Sequence, residues 1–122
     1  MPFHSILTDL VRAEEDCLGA LFVDDSGELI GIACADGDRD RMELIAAYLP
    51  LHVQRLQTAL DGVEGGEPRL LHIRRHDLDL HVAVLPENYL LSLISGPRGR
   101  VASTRRRLEV GARRLAREVL GD

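Results

Sequence analysis

The segment GALFVDDSGELIGI, residues 19–32, contains two apolar runs separated by four turn-forming residues. The runs cover residues 19–23 and 29–32, and the tetrad between them is DDSG. Two apolar runs around such a tetrad predict a β-hairpin, because Asp, Ser and Gly favour tight turns. The fold is therefore expected to contain an antiparallel sheet.

Helices are predicted on both sides of this hairpin. A short amphipathic helix is expected at residues 3–16, and a long one at residues 38–60. Apolar residues recur in the long segment three or four positions apart, which places them on one helical face: Met42, Ile45, Leu49, Val53, Leu56 and Leu60. Pro50 lies inside this helix. Since proline lacks a backbone N–H and its ring crowds the preceding turn, we expect a kink or a break there.

Three apolar runs and one more amphipathic segment follow: strands at residues 69–75, 78–85 and 89–95, then a helix at residues 101–120. The first two strands are joined by His76 and Asp77, and a turn at these residues would place Arg74 opposite Asp79. The order is α-β-β-α-β-β-β-α. Hairpin connections imply antiparallel strands, so this order predicts an α+β class with helices layered on one sheet, in a single domain over residues 1–122.

The composition limits the possible functions. Apolar residues make up 45% of the chain and charged residues 29%, as in globular proteins. Aromatic residues make up 3%, which argues against a platform that stacks nucleic-acid bases. All 15 basic residues are Arg, so Schiff-base chemistry and a phosphate-binding loop lysine are excluded.

The cellular location is expected to be cytoplasmic. The first residues lack the basic stretch of a signal peptide, and no apolar run approaches the roughly 20 residues of a membrane helix. We therefore expect no membrane insertion. In a reducing compartment Cys17 and Cys34 are predicted to be buried thiols. The alternative is a disulfide, because the first hairpin would set them opposite each other if its pairing extended that far.

Candidate catalytic and metal-binding groups are few. His72 and His81 would be cross-strand neighbours, with His76 and Asp79 nearby, but two histidines supply only half of a zinc site. The favoured interpretation is a polar, partly solvated face in which Arg74 pairs with Asp79. The sequence also lacks a G-x-S-x-G motif and any apparent nucleophile–base pair. We therefore assign no catalytic, cofactor-binding or metal-binding residues and expect no enzyme activity of its own.

The last helix carries an arginine-rich face. Residues 98–122 contain 8 Arg and 3 acidic residues, whereas residues 1–97 contain 7 Arg and 17 acidic residues. Arg106, Arg113 and Arg117 lie on the face opposite the apolar one, where they form either a solvated face or a docking site for an acidic partner. Nucleic acid is the least favoured partner, because the sequence pI is about 5.5.

The long helix also has a second apolar stripe: Leu44, Ala47, Tyr48 and Leu51. A helix on the surface of a monomer needs only one apolar face, so two faces indicate burial on two sides. A domain of this size has no further layer to cover the second face. A second copy of the chain is the expected cover, although single exposed leucines would need no explanation.

This order of elements resembles the Roadblock/dynein light-chain family, and in particular its bacterial gliding-motility GTPase activators. The resemblance rests on the first hairpin with its G-x-x-x-x-D-x-x-G pattern, followed by the long helix, the second hairpin, the strand at residues 89–95 and the closing helix. It covers nearly the whole chain. It implies a Roadblock/longin/profilin-like fold: a five-stranded antiparallel sheet with the long helix on one face and the other two helices on the opposite face.

The resemblance further implies a homodimer, or a pair with a related Roadblock chain, built from the long helix and the strand at residues 69–75. The assigned interface is Leu44, Ala47, Tyr48, Leu51, Arg55, Leu71 and Ile73. The implied function is a protein-binding module that regulates or scaffolds a small Ras-like GTPase through the GTPase's own residues. The alternatives are a structural adaptor with a non-GTPase partner and a small-molecule sensor that uses the face of His72 and His81.

Overall fold

The computed structural model describes residues 2–35, 39–66, 68–97 and 100–121. The predicted order of helices and strands is confirmed, and a short 3-10 turn at Pro86–Asn88 precedes the last strand. The elements are α1 Pro2–Arg12, β1 Cys17–Val23, β2 Leu29–Cys34, α2 Arg39–Ala59, β3 Leu70–Arg74, β4 Asp79–Val84, β5 Leu90–Ser95 and α3 Val101–Leu120. The first helix ends four residues earlier than predicted, and residue 38, the predicted start of the long helix, lies outside the described residues.

The five strands form one antiparallel sheet in the order β2-β1-β5-β4-β3. The second hairpin has the predicted register, with Arg74 opposite Asp79 and His72 opposite His81. The N–H of Arg75 donates to the carbonyl of Leu78 at 2.9 Å, which closes the turn at His76 and Asp77. The strand β3 is therefore an edge of the sheet, paired on one side only.

Two apolar cores cover the two faces of the sheet, as the resemblance implied. The helices α1 and α3 pack on one face, over a cluster centred on Phe22, Leu91 and Leu93. The helix α2 packs on the other face, over a cluster that includes Leu21 and Ile94. None of the helices in the described part of the chain is both long and apolar enough to cross a membrane.

The long helix α2 differs from its sequence prediction in two ways. It runs without a break from Arg39 to Ala59 through Pro50, so the predicted break is wrong. Its buried stripe is Met42, Ala46, Leu49 and Val53, while Leu56 and Leu60 are more than one-third exposed. A helix of 21 residues is about 30 Å long and a six-residue strand only about 20 Å, so a single strand cannot cover the whole length of α2.

The two cysteines lie on opposite faces of the sheet and remain thiols. Cys34 pairs across the hairpin with Gly19 and not with Cys17, because the β1–β2 register shifts between Phe22 and Val23. Cys17 is buried in the core under α1 and α3, as predicted, and burial raises the pKa of its thiol. Cys34 is only half-buried, so the expectation of two buried thiols holds for Cys17 alone.

Candidate protein-interaction surface

The outward side of α2 is apolar and uncovered. Leu44 is 59% exposed, Tyr48 57% and Leu51 44%, and Ala47 between them is also exposed. These four residues follow the spacing i, i+3, i+4, i+7, so they form one continuous stripe along the helix. Single exposed leucines are ordinary, whereas a contiguous stripe of this kind marks an interaction surface.

The edge strand β3 extends this apolar character beside the helix. Leu71 and Ile73 pair with Val82 and Leu80, two members of the core beneath α2, so they point to the α2 side of the sheet. The helix lies on this same face, but its backbone is nearest β1 and β2, at the other end of the strand order from β3. Ile73 therefore stays 38% exposed, while Leu71 is half-buried against the core.

We define the α2–β3 surface as the seven residues assigned to the dimer interface from the sequence: Leu44, Ala47, Tyr48, Leu51, Arg55, Leu71 and Ile73. Six of them are exposed and Leu71 is half-buried. The surface combines an apolar helical stripe with a strand edge whose outer backbone groups have no neighbouring strand in the described sheet. Such a strand edge can pair with another chain, and the stripe can bury its side chains against a partner.

Five of the six arginines of α3 divide into two groups, and the sixth, Arg105, pairs with Glu109 on the same helix. Arg106, Arg113 and Arg117, the residues predicted to dock a partner, are exposed and make no ion pair with any residue that the structure describes. They extend along the solvent side of the helix. This placement agrees both with a solvated face and with a docking site for an acidic partner.

The other group holds α1 against α3, a role that the sequence did not reveal. Arg107 bonds the Leu10 carbonyl at 2.6 Å and pairs with Glu14 at 3.0 Å, and Glu14 also accepts a hydrogen bond from Ser103. Arg114 lies 3.5 Å from Asp9. The spacing of these residues along the chain gives no signal of such pairs, because the partners are about 90 to 105 residues apart.

On the face of the sheet that α1 and α3 cover, three polar side chains meet beside the start of α3. Nε2 of His72 lies 3.2 Å from Oδ2 of Asp79, and the rings of His72 and His81 stack with their centroids 4.3 Å apart. Asp79 and His81 are buried, and Arg74 reaches the same Asp79 oxygen at 3.4 Å. The pairing of Arg74 with Asp79 that the sequence predicted is therefore confirmed.

The electrostatics of this cluster follow from burial and its charged neighbours. Burial lowers the pKa of His81, and the positive charge of a protonated His72 lowers it further. Burial also opposes ionisation of Asp79. The hydrogen bonds from His72 and Arg74 outweigh that effect, so the pKa of Asp79 is lowered. The cluster is therefore expected to hold an ionised Asp79 and a neutral His81 near neutral pH.

Solved structures share this fold at low sequence identity. MglB of Myxococcus xanthus superposes with a TM-score of 0.86 at 16% identity, over 98% of this chain and 96% of that one. The Roadblock/LC7 domain of Streptomyces avermitilis gives a TM-score of 0.83 at 16% identity, over 98% of both chains. The gliding protein MglB of Thermus thermophilus gives 0.86 at 15% identity, over 99% of this chain and 90% of that one.

No family model and no curated protein matches the sequence. The similarity therefore lies in the three-dimensional arrangement: one antiparallel sheet, with α2 on one face and α1 and α3 on the other. This arrangement confirms the resemblance seen in the order of the sequence elements. The chain has the Roadblock/LC7 fold.

Proposed function

We propose that this protein is a dimeric binding module that regulates or scaffolds a small Ras-like GTPase. The observation that carries the proposal is the α2–β3 surface, an apolar stripe next to an open strand edge on an otherwise well-covered sheet. A second copy of the chain can cover this surface through a two-fold axis, because each copy offers the same helix and the same edge.

The regulatory part of the proposal rests on likeness of fold. The fold matches that of MglB, described for Thermus thermophilus as a gliding protein, and the sequence resembles bacterial gliding-motility GTPase activators. In this proposal the chain contributes no catalytic group and acts by positioning the GTPase's own residues. Arg106, Arg113 and Arg117 are candidate contacts to an acidic partner rather than arginine fingers.

A structural adaptor with a non-GTPase partner is the second candidate, since one fold serves unrelated partners and the same surface would be used. The sensor alternative has less support. The groove beside His72 and His81 has a volume of about 230 Å³, whereas small-molecule sites usually enclose about 300–1,000 Å³.

Light scattering on the purified chain tests the dimer. We expect the wild type to have the mass of two chains, and the double variant Leu44→Asp/Leu51→Asp to be a folded monomer, because burying two carboxylates in an apolar interface is strongly unfavourable. The matched control is Val110→Asp on α3, which is as exposed as Leu51 and should leave the dimer intact. A wild-type monomer at high concentration would overturn the proposal.

Binding to a panel of bacterial Ras-like GTPases tests the partner. Each GTPase is loaded with GDP or with a non-hydrolysable GTP analogue and titrated with the wild-type chain. We expect one nucleotide state of at least one GTPase to bind more tightly, and hydrolysis to depend on the GTPase's own residues. A dimer that binds none of them in either state favours the adaptor.

A further inference from the structure

Three potential metal ligands converge on the face of the sheet that α1 and α3 cover. His72, Asp79 and His81 each offer one ligand atom, and these three atoms lie within 4.8 Å of one another. The sequence predicted two cross-strand histidines with Asp79 nearby. The fold shows that the Asp79 carboxylate is buried and lies 3.2 Å from Nε2 of His72.

We propose that His72, Asp79 and His81 form a binding site for a divalent transition metal of the Zn²⁺ class. Two imidazole nitrogens and one carboxylate oxygen are donors that Zn²⁺ accepts, and three protein ligands leave a fourth coordination position for water or a partner's ligand. Softer sulfur ligands are absent from this set, and the hard cations Mg²⁺ and Ca²⁺ prefer oxygen ligands alone.

The backbone holds the three residues in fixed relative positions. His72 lies opposite His81 in the β3–β4 register, and Asp79 is two residues from His81 on the same face of β4. The two rings stack nearly parallel, with an angle of 11° between them. A common metal ion requires one ring to rotate, and His72 can do so because its side chain is 34% exposed at the sheet edge.

The surroundings leave room for an ion and its fourth ligand. His72 and His81 line the groove that runs beneath Val101, Arg105 and Leu108 of α3. Ser95 lies directly opposite Asp79 in the β4–β5 register, and its buried hydroxyl has no hydrogen-bond partner among the described residues. A buried hydroxyl of this kind is ordinarily satisfied by a water or a further ligand.

Three arginines, Arg74, Arg105 and Arg107, place positive charge near a cation here, and all can be accommodated. Arg107, whose charge acts on His81, is paired with Glu14 at 3.0 Å. Arg74 shares the Asp79 oxygen at 3.4 Å, but its side chain is 65% exposed and can swing into solvent when a metal takes its place. Arg105 lines the groove, but it is paired with Glu109 at 3.2 Å. A bound metal would thus exchange a weak ion pair at Asp79 for direct coordination.

Calorimetric titration of chelator-treated protein with ZnCl₂ tests the site. We expect one Zn²⁺ per chain in the wild type and at least about tenfold weaker binding in His72→Gln, since loss of even an outer-shell partner costs about 10–100-fold in affinity. His52→Gln is the matched control, because His52 is an exposed histidine on α2 and its loss should leave binding unchanged. MgCl₂ is expected to give no binding heat at this site.

Absorption of Co²⁺ in place of Zn²⁺ gives a second readout that does not depend on binding heat. Tetrahedral Co²⁺ with nitrogen and oxygen ligands shows visible d–d absorption, which should appear in the wild type and be lost in the exposed-residue variant His72→Gln. Equal Zn²⁺ affinity in the wild type and His72→Gln, or loss of binding in His52→Gln, would overturn the proposal. The dimer variant Leu44→Asp/Leu51→Asp should bind the metal as the wild type does, so the two proposals fail separately.

Discussion

One carboxylate oxygen, Oδ1 of Asp24, organises the turn between β1 and β2. It accepts hydrogen bonds from the N–H of Glu28 at 2.8 Å and from the N–H and hydroxyl of Ser26 at 3.0 and 2.9 Å. The bonds from Glu28 and Ser26 favour the charged carboxylate, so the pKa of Asp24 is lowered. The side chain that marked the turn in the sequence is therefore the one that holds it in the fold.

We expect Asp24→Asn to be less stable than the wild type at neutral pH and equally stable in acid. A folded-state pKa below the unfolded value stabilises the fold above the unfolded pKa of about 3.9, and this stabilisation is lost as the pH falls through the folded value. Urea midpoints of both proteins from pH 7 down to pH 2 check this. Asp25→Asn, at the exposed neighbour, is the control, and a wild-type advantage that persists at pH 2 would contradict the assignment.

Gly111 sets the distance between α1 and α3. A Cβ atom at this position would lie 2.8 Å from Cδ1 and 3.1 Å from Cδ2 of Leu10, and 3.3 Å from Cδ2 of Leu91. Both leucines are buried in the core and have little room to move. Glycine is thus required here by the close approach of the helices, although it weakens a helix elsewhere.

Gly111→Ala should therefore destabilise the protein, although the same change in an open helix gains about 1 kcal/mol. Overpacking a core costs about 1–3 kcal/mol, so we expect a net loss of up to about 2 kcal/mol in the free energy of unfolding by urea. Leu10→Ala is tested alone and together with Gly111→Ala. Because alanine at position 10 removes the clash, Gly111→Ala should lower the free energy of unfolding less in the Leu10→Ala protein than in the wild type. Equal losses in the two proteins would show that the crowding is elsewhere.

The faces of the sheet on which the two cysteines lie could not be predicted from the sequence. Both lie in the predicted hairpin, and its turn residues were identified correctly. A bulge between Cys17 and Gly19 then moves Cys17 to the face of α1 and α3, while Cys34 stays on the face of α2. Apolar alternation does not reveal an extra residue in a strand, so the face of each thiol was not predictable from the pattern.

At the scale of elements, the docking of α1 on α3 depends on a partly buried ion pair. The side chains of Arg107 and Glu14 are only 16% and 23% exposed. Ser103 also donates to Glu14, and Arg107 also donates to the Leu10 carbonyl. On the surface of the same helix, Arg105 and Glu109 form an exposed pair. One helix therefore offers an ion pair in each environment.

Removing the acidic residue should lower the free energy of unfolding much more for the Glu14 pair than for the Glu109 pair. Glu14→Ala leaves the Arg107 guanidinium partly buried without a carboxylate, and we expect a loss of about 1–3 kcal/mol. Glu109→Ala breaks only a solvated pair, for which we expect a loss below about 0.5 kcal/mol. Urea unfolding of the two variants and the wild type measures both. Similar losses would mean that the Glu14 pair does not hold the helices together.

The long helix shows both the strength and the limit of periodicity. Its existence, its length and its two apolar faces were all predicted, because both stripes repeat with the period of a helix. The pattern could not show where the sheet beneath it ends, and Leu56 and Leu60 were therefore assigned to the core although they are partly exposed. It also did not identify Ala46, a small residue, as a member of the buried stripe.

At the scale of the whole molecule, the strand order β2-β1-β5-β4-β3 was not contained in any local pattern. Hairpins predict which neighbours pair, but they do not predict that β5 lies between β1 and β4. The resemblance to a known family supplied the layering of the helices. The apolar stripe of α2 and the nearness of Asp79 to His72 and His81 were predictable from the pattern. The burial of Asp79 and His81 emerged only in the fold.

A dimer built on the α2–β3 surface makes the stability of the whole molecule depend on its concentration. Unfolding of a dimer releases two chains, so the apparent stability depends on protein concentration. A tenfold rise in concentration raises the free energy of unfolding by about 1.4 kcal/mol per dimer, or about 0.7 kcal/mol per chain. For a chain of this length that amount raises Tm by about 3 °C. Circular dichroism melts over a hundredfold range of concentration measure it, since the chain has no Trp for fluorescence. The Tm of Leu44→Asp/Leu51→Asp should stay constant across that range while Val110→Asp follows the wild type, and a wild-type Tm independent of concentration would exclude a dimer coupled to folding.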